Sequence, residues 1–438
     1  MKLGVISLGC DKATVDSERL VGELVGHGAV VTPDLEHADV ILVNTCGFID
    51  AAKQESIEAI LSAAELKKTA TVKAVVAVGC LVQRYKQELQ QEIPEVDLFL
   101  GFSDLHHLVP ALAERGLITD PVARHPGVRQ FLGTAAHVRY LKISEGCDHT
   151  CAFCAIPLMR GKHRSEPVER VVREAQQLEA QGAQEINLVA QDLGHYGRDL
   201  GLAGPKLPDL LEALLAGTSV PWYRLLYVYS AGLTDRLVDL IAQSPRVVPY
   251  IDMPIQHASD RMLERMRRPE RRRTLREKLG WLRGAVPDLA IRTTCLVGFP
   301  GETEQDFREL LEFLDEAQFD RLGAFAYSPQ EGTRATQYAD DVPDAVKRER
   351  LEELLEVQRA ISAERLGRFV GREVSVLVDG MADPDIAVAT HVGRVPWQAD
   401  DVDGVTYLEK GGWAEPGGFV RARLTASEDY DFRAVALT

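Results

Sequence analysis

Between Val138 and Ala326, strand-sized apolar runs alternate with amphipathic stretches, and that alternation leaves few folds open. Candidate strands are Val138 to Ile143, Glu185 to Ala190, Tyr223 to Val228, Tyr250 to Asp252, Ala290 to Val297 and Arg321 to Ala326. Helical stretches such as Pro167 to Ala180 and Thr303 to Ala317 separate them. Parallel strands need a crossover long enough to hold a helix, so this many βα units predict a full or partial barrel. Its working end would lie at the carboxyl ends of the strands.

The flanking segments follow other rules. Lys2 to Leu8, Asp39 to Asn44 and Lys73 to Gly79 read as buried strands. Between them lie a helical stripe of Leu20, Val21, Leu24 and Val25 and a helix carrying Ile57, Ile60 and Leu61. That pattern predicts a doubly wound parallel sheet. Pro121, Pro126, Gly127 and Gly133 then punctuate an irregular stretch, which puts a boundary near residue 130. Val346 to Arg365 reads as a charged helix with Leu351, Leu354, Leu355 and Ile361 on one face. From Arg372 onward, Val374 to Val378, Val405 to Leu408 and Phe419 to Leu424 alternate between Gly and Pro clusters, as a small antiparallel, OB-like β-barrel does. The expected class is α/β, with domains at 1–125, 133–367 and 370–438.

Composition narrows the function. A hydrophobic content of 45% over 438 residues supplies real cores, and no apolar run reaches membrane-spanning length, so a cytoplasmic protein without a membrane partner is expected. A net charge of -16 disfavours a partner gripped through phosphates and suits a basic one. Seven cysteines in such a compartment point to metal ligands or reactive groups before disulfides.

Their positions carry the chemistry. Cys147, Cys151 and Cys154 follow the first barrel strand at a spacing that lets three thiolates hold three irons of a 4Fe–4S cluster and leave the fourth open to a ligand. Structural zinc with His149 or His163 as fourth ligand is the alternative. Cys10, Cys46 and Cys80 each follow a predicted strand of the first sheet, so they could converge at its carboxyl edge as a second three-cysteine site. Cys295 lies inside an apolar strand and reads as core. Gly298 to Thr303 is a glycine turn from strand to helix, a connection that can also accept a charged ligand. Gln191, Asp192, Arg224 and Gln256 are polar residues at the predicted barrel mouth and are the candidate cofactor contacts.

The Cys147, Cys151, Cys154 spacing resembles the signature of radical S-adenosylmethionine (radical SAM) enzymes. Together with Ser7-Leu8-Gly9-Cys10, Asn44-Thr45-Cys46-Gly47-Phe48, Val78-Gly79-Cys80, Ile156-Pro157 with Arg160-Gly161, Gly298 to Thr303, Tyr327-Ser328-Pro329 and the terminal β module, the chain resembles a methylthiotransferase along its whole length. The resemblance implies an N-terminal cluster domain, a radical SAM barrel and a TRAM domain. It implies that Cys147, Cys151 and Cys154 hold the 4Fe–4S cluster that binds SAM and cleaves it to a 5'-deoxyadenosyl radical. It implies too that Cys10, Cys46 and Cys80 hold an auxiliary 4Fe–4S cluster carrying the sulfur to be inserted. A second SAM would give the methyl group, and a separate electron donor the reducing equivalents. An unactivated C–H bond resists acid–base chemistry, so a cofactor must carry the difficult step.

Two acceptor classes divide this family: a modified adenosine in tRNA, and an aspartate of the small-subunit ribosomal protein numbered twelve. The run Cys10-x-Lys12-x-x-Val15-Asp16-Ser17-Glu18 and the Trp222 to Ser230 stretch resemble the ribosomal-protein branch. Ala13 stands where that branch usually has Asn, which should weaken a local contact near Cys10 without removing a ligand. From Gly371 to the end there are six Lys and Arg against twelve Asp and Glu, a net of -6. An acidic module suits a basic ribosomal protein or ribosomal subunit better than tRNA. The expectation is therefore methylthiolation of a ribosomal-protein aspartate on its β-carbon. Methylthiolation of tRNA adenosine and a zinc-stabilised, non-catalytic RNA- or ribosome-binding module are the alternatives.

Overall fold

The computed structural model describes residues 1–118, 128–133, 135–386, 388–409 and 414–437. The first sheet is parallel throughout, in the order Val30–Val31, Lys2–Ser7, Val40–Thr45, Ala74–Gly79, Leu98–Leu100. Alternate residues of its central strands enter two cores, one with Leu42, Val76 and Val78 and the other with Ile41, Val43 and Val75, so helices cover both faces. Of the predicted helical stripes, Leu20, Val21 and Leu24 are buried, whereas Leu61 faces solvent beside buried Ile60. The boundary placed at residue 125, with Pro121 and Pro126, lies outside the described residues.

The second sheet is also parallel and keeps chain order: Val138–Lys142, Glu185–Val189, Trp222–Leu225, Val247–Asp252, Ala290–Val297, Arg321–Ala326. Its end strands do not pair with each other, so it is a partial barrel. One face, with Ile186, Leu188, Tyr223, Leu225 and Ile291, packs on the helices. The opposite face carries Glu185, Asn187, Val189, Trp222, Arg224 and Tyr250.

The terminal module is a closed barrel of Glu373–Met381, Ala389–Arg394, Thr406–Glu409, Phe419–Ser427 and Phe432–Ala436. Antiparallel pairing holds everywhere except between Thr406–Glu409 and Phe432–Ala436, which run parallel because the chain passes through Phe419–Ser427 between them. This barrel packs Phe369, Trp397 and Val395 against Trp222, Val248, Tyr250 and Ala290 of the central sheet's helix-free face. At the seam Glu185 accepts from Arg224 at 2.7 Å and from Arg394 at 2.5 Å, all three side chains being fully or almost fully buried. No helix among the described residues is long and apolar enough to cross a membrane.

A buried carboxylate between two buried guanidinium groups is far more costly to remove than it was to assemble. Glu185→Ala should lower stability by about 3–5 kcal/mol. Thermal unfolding would show it as a fall in the midpoint, with the terminal barrel loosening first in hydrogen exchange.

Candidate active site between two cysteine trios

Cys10, Cys46 and Cys80 stand at the carboxyl ends of three adjacent strands, and each thiol lies within electrostatic reach of the others. Glycines make the approach possible. Gly9 and Gly79 precede their cysteines at φ +99° and +101°, in the left-handed region that side chains avoid. A Cβ on Gly79 would lie 2.4 Å from Asn44 Oδ1, and one on Gly47 would lie 2.9 Å from the Leu81 backbone. Cys10 and Cys80 then stand at the starts of helices Asp11–Gly26 and Cys80–Glu92. Ala13 is buried beneath Gly9, and its carbonyl accepts from the Asn44 side chain at 2.8 Å.

Cys147, Cys151 and Cys154 form the second trio, in the loop beyond Val138–Lys142. Gly146 turns the chain at φ +78°, and a Cβ there would lie 2.2 Å from the Lys162 carbonyl oxygen. Burial pushes the Cys147 thiol up to about 11 and Cys154 to about 12. Burial likewise raises Cys80 to about 11 against the pull of Arg160. Dry thiols of this kind lose their protons to a metal ion, which supplies the positive charge that the protein withholds. The donor sets therefore fit iron–sulfur clusters.

Neither histidine is placed for the zinc alternative. His149 Nε2 meets Asp192 at 2.8 Å and its ring stacks on Tyr229, while His163 Nε2 pairs with Ser165 Oγ at 3.1 Å. Among the described residues the one His, Cys, Asp or Glu group close enough to share an ion is His149, Asp192 and His195, without a thiol.

The candidate cofactor contacts divide. Gln191 lies beside the cysteine loop, its Nε2 3.4 Å from Glu145 and its Oε1 buried without a partner, so it has an acceptor left for a ligand. Asn187, deeper on the same sheet face, has both amide atoms buried and unpartnered. Gln256 lies beyond the strand Val247–Asp252 at φ +70°, bridged through the backbone to Cys295. Asp192 is committed: it caps Gly194 at 2.8 Å and holds His149, which makes it a positioning residue. Arg224 is a correction, because its guanidinium is fully buried against Glu185 and the Pro396 carbonyl, at the seam with the terminal barrel and away from the mouth. Cys295 is core, as expected. Gly298 to Thr303 is a connection: Thr303 and Asp306 cap each other and fill the start of Glu304–Ala317, so no anion site is left there.

The structure adds residues that no local pattern revealed. Tyr229 Oη lies 3.3 Å from Cys151 Sγ, and Arg268 Nη1 lies 3.9 Å from the same sulfur while its guanidinium covers the Tyr229 ring. Arg160, on the short helix Ile156–Arg160 after Cys154, feels the charge of Cys80 and Cys10. It pairs with Asp16 at 2.9 Å and Glu145 at 3.0 Å, and Lys142 joins the same two acids. Ala155 and Met159 pack directly on Cys80, so one helix turn separates the trios. Lys12 is buried between Cys10 and Tyr227; burial opposes its charge, yet Asp11 and Tyr227 hold its pKa above the ordinary lysine range. Its motif was visible in the sequence, whereas Tyr229 and Arg268 reach the site through contacts distant in the chain.

Comparisons with known proteins agree with this geometry. Residues 2–101 match the uncharacterized protein family UPF0004, residues 141–314 the radical SAM superfamily and residues 370–437 the TRAM domain. Among solved structures, the radical SAM methyltransferase TsrM from Kitasatospora setae superposes with TM-score 0.56 at 15% identity, over 75% of this chain and 74% of its own, a likeness of fold. Partial barrel and thiol trio thus define a radical SAM enzyme. The ribosomal protein uS12 methylthiotransferase RimO of Geobacter sulfurreducens is 44% identical over 98% of this chain and 97% of its own length. That of Aquifex aeolicus is 44% identical over 98% and 96%. The chain belongs to the RimO family of radical SAM methylthiotransferases.

Alanine at Gly146 meets both a forbidden φ and a backbone oxygen. Gly146→Ala should therefore keep about half of the wild-type iron after anaerobic reconstitution, the Cys147 trio failing to fill. An iron assay with electron paramagnetic resonance would measure this; Gly116→Ala, at a positive φ in open space, controls for strain alone.

Proposed function

We propose that this chain methylthiolates the β-carbon of an aspartate in ribosomal protein uS12, using two 4Fe–4S clusters. Cys147, Cys151 and Cys154 would hold one cluster and Cys10, Cys46 and Cys80 the other. The observation that carries this reading is that the helix Ile156–Arg160, which directly follows Cys154, reaches the other trio, with Met159 packed on Cys80 and Arg160 within the field of Cys80 and Cys10. When bound, the clusters supply the electron that cleaves SAM and the sulfur to be inserted. The protein's part is positioning. Tyr229 and Arg268 offer a hydroxyl and a cation to Cys151, offsetting the charge of a thiolate in a dry site. Gln191 Oε1 and the Asn187 amide, buried and unpartnered, are the polar groups left to offer SAM, with Gln256 a further candidate.

The acceptor rests on the activity of the relatives and on charge. Part of the terminal module's acidity serves the fold, since Asp379 pairs with Arg394 and His137, and Asp403 accepts from Tyr250 at 2.7 Å. Asp383, Asp385 and Asp401 remain exposed and favour a basic partner over a phosphate backbone.

An anaerobic reaction with SAM and reductant, offered uS12 and tRNA together and read by mass spectrometry, tests the reading. A methylthio increment on an aspartate peptide is expected, and the same increment on a nucleoside would overturn it. Cys147→Ala should abolish SAM cleavage. Cys10→Ala should retain some cleavage and lose methylthiolation, because it disturbs only the auxiliary trio.

A further inference from the structure

The reacting carbon of the acceptor must reach both trios, so the acceptor side chain has to sit between the Cys10 loop and the barrel mouth. If that side chain is an aspartate, as the function proposed above requires, a carboxylate has to be received beside buried side chains. Such a charge needs a cation there. Among the described residues, Lys12, Lys142, Arg160 and Arg268 are cations beside one trio or the other. Lys142 is held by Asp16 and Glu145, and Arg160 by the same pair. Arg268 is held by the Pro254 carbonyl at 2.6 Å and by Glu270.

Lys12 differs from these three. Its ammonium makes one long hydrogen bond, to Asp11 Oδ1 at 3.2 Å, and otherwise lies over the Tyr227 ring at 3.4 Å from the centroid. An ammonium has three donors; with one on Asp11 and one facing the ring, the third is left for an incoming oxygen. Around it are further signs of a receptor. Cys10, at the start of Asp11–Gly26, makes no side-chain cap, so the first N–H groups of the helix are not satisfied by it. Asp11 Oδ2 is buried with no donor, the complement of a backbone N–H on an extended peptide. Tyr227 is held at φ +63°, a conformation that a bulky residue adopts only under constraint, and this places its ring beneath the ammonium.

We propose that Lys12 receives the carboxylate of the acceptor side chain and thereby selects an acidic peptide over a nucleoside. The remaining ammonium donor takes a carboxylate oxygen, while Asp11 Oδ2 takes a backbone N–H of the peptide. A nucleobase offers no anion to this arrangement.

The test measures binding, with reconstituted enzyme and SAM but no reductant, so it is independent of turnover. uS12 is compared with uS12 whose acceptor aspartate is replaced by asparagine. Wild type should bind the aspartate form about tenfold more tightly, the size of one charge-assisted hydrogen bond in a dry site. Lys12→Gln should erase that preference by weakening the aspartate form alone, and Lys12→Arg should keep part of it. Iron content checks that each variant has assembled. A Lys12→Gln enzyme that still prefers aspartate would overturn the proposal, as would a wild type without the preference; should Lys12→Gln fail to assemble, the wild-type ratio and Lys12→Arg decide. Failure of wild type to modify uS12 at all is a separate result and strikes the acceptor assignment instead.

Discussion

Asp16, Glu145, Lys142 and Arg160 form a charge-balanced, largely buried quartet, and the relation between the two cysteine trios depends on it. Each member comes from a different element near a thiol. Asp16 lies on the helix begun at Cys10, Lys142 ends the strand before Cys147, Glu145 stands two residues before that cysteine, and Arg160 ends the helix after Cys154. Because each charge has two partners, loss of any one leaves the others uncompensated in a dry place, so the quartet tolerates little relative movement of the two sheets. Arg129 with Glu18 at 2.6 Å, and Arg19 with Glu174 at 2.7 Å, extend the same seam.

Within that seam the thiols are kept in tension with their surroundings. Burial disfavours the thiolates of Cys80 and Cys154, while Arg160 favours the first and Arg268 the second. Neither influence alone would make a good ligand: a fully favoured thiolate would be reactive without metal, and a fully disfavoured one would release its proton too reluctantly.

The three sheets were legible in the chain because each is built from short runs whose periodicity survives without tertiary help. The cysteine trios were legible because each thiol directly follows such a run. Ala389–Arg394 was not, since its Gly393 is placed for the close approach of the Leu377 carbonyl and breaks the apolar pattern. Arg224 misled for a related reason: a polar residue within an apolar run marks a special environment, but the run does not say which end of the barrel that environment occupies. Its partner Glu185 is shared with Arg394 of another domain, and only docking reveals that arrangement. Tyr229 and Arg268 were hidden likewise, since Cys151 meets them through folding and not through spacing.

The terminal barrel has a consequence for traffic through the enzyme. It covers the helix-free face of the central sheet from the side where Glu185 and Trp222 begin their strands, while the N-terminal domain leans over the opposite rim. Entry to that polar face from the amino ends of the strands is thus blocked by protein, which leaves the carboxyl ends, where the Cys147 loop lies, for a ligand to use.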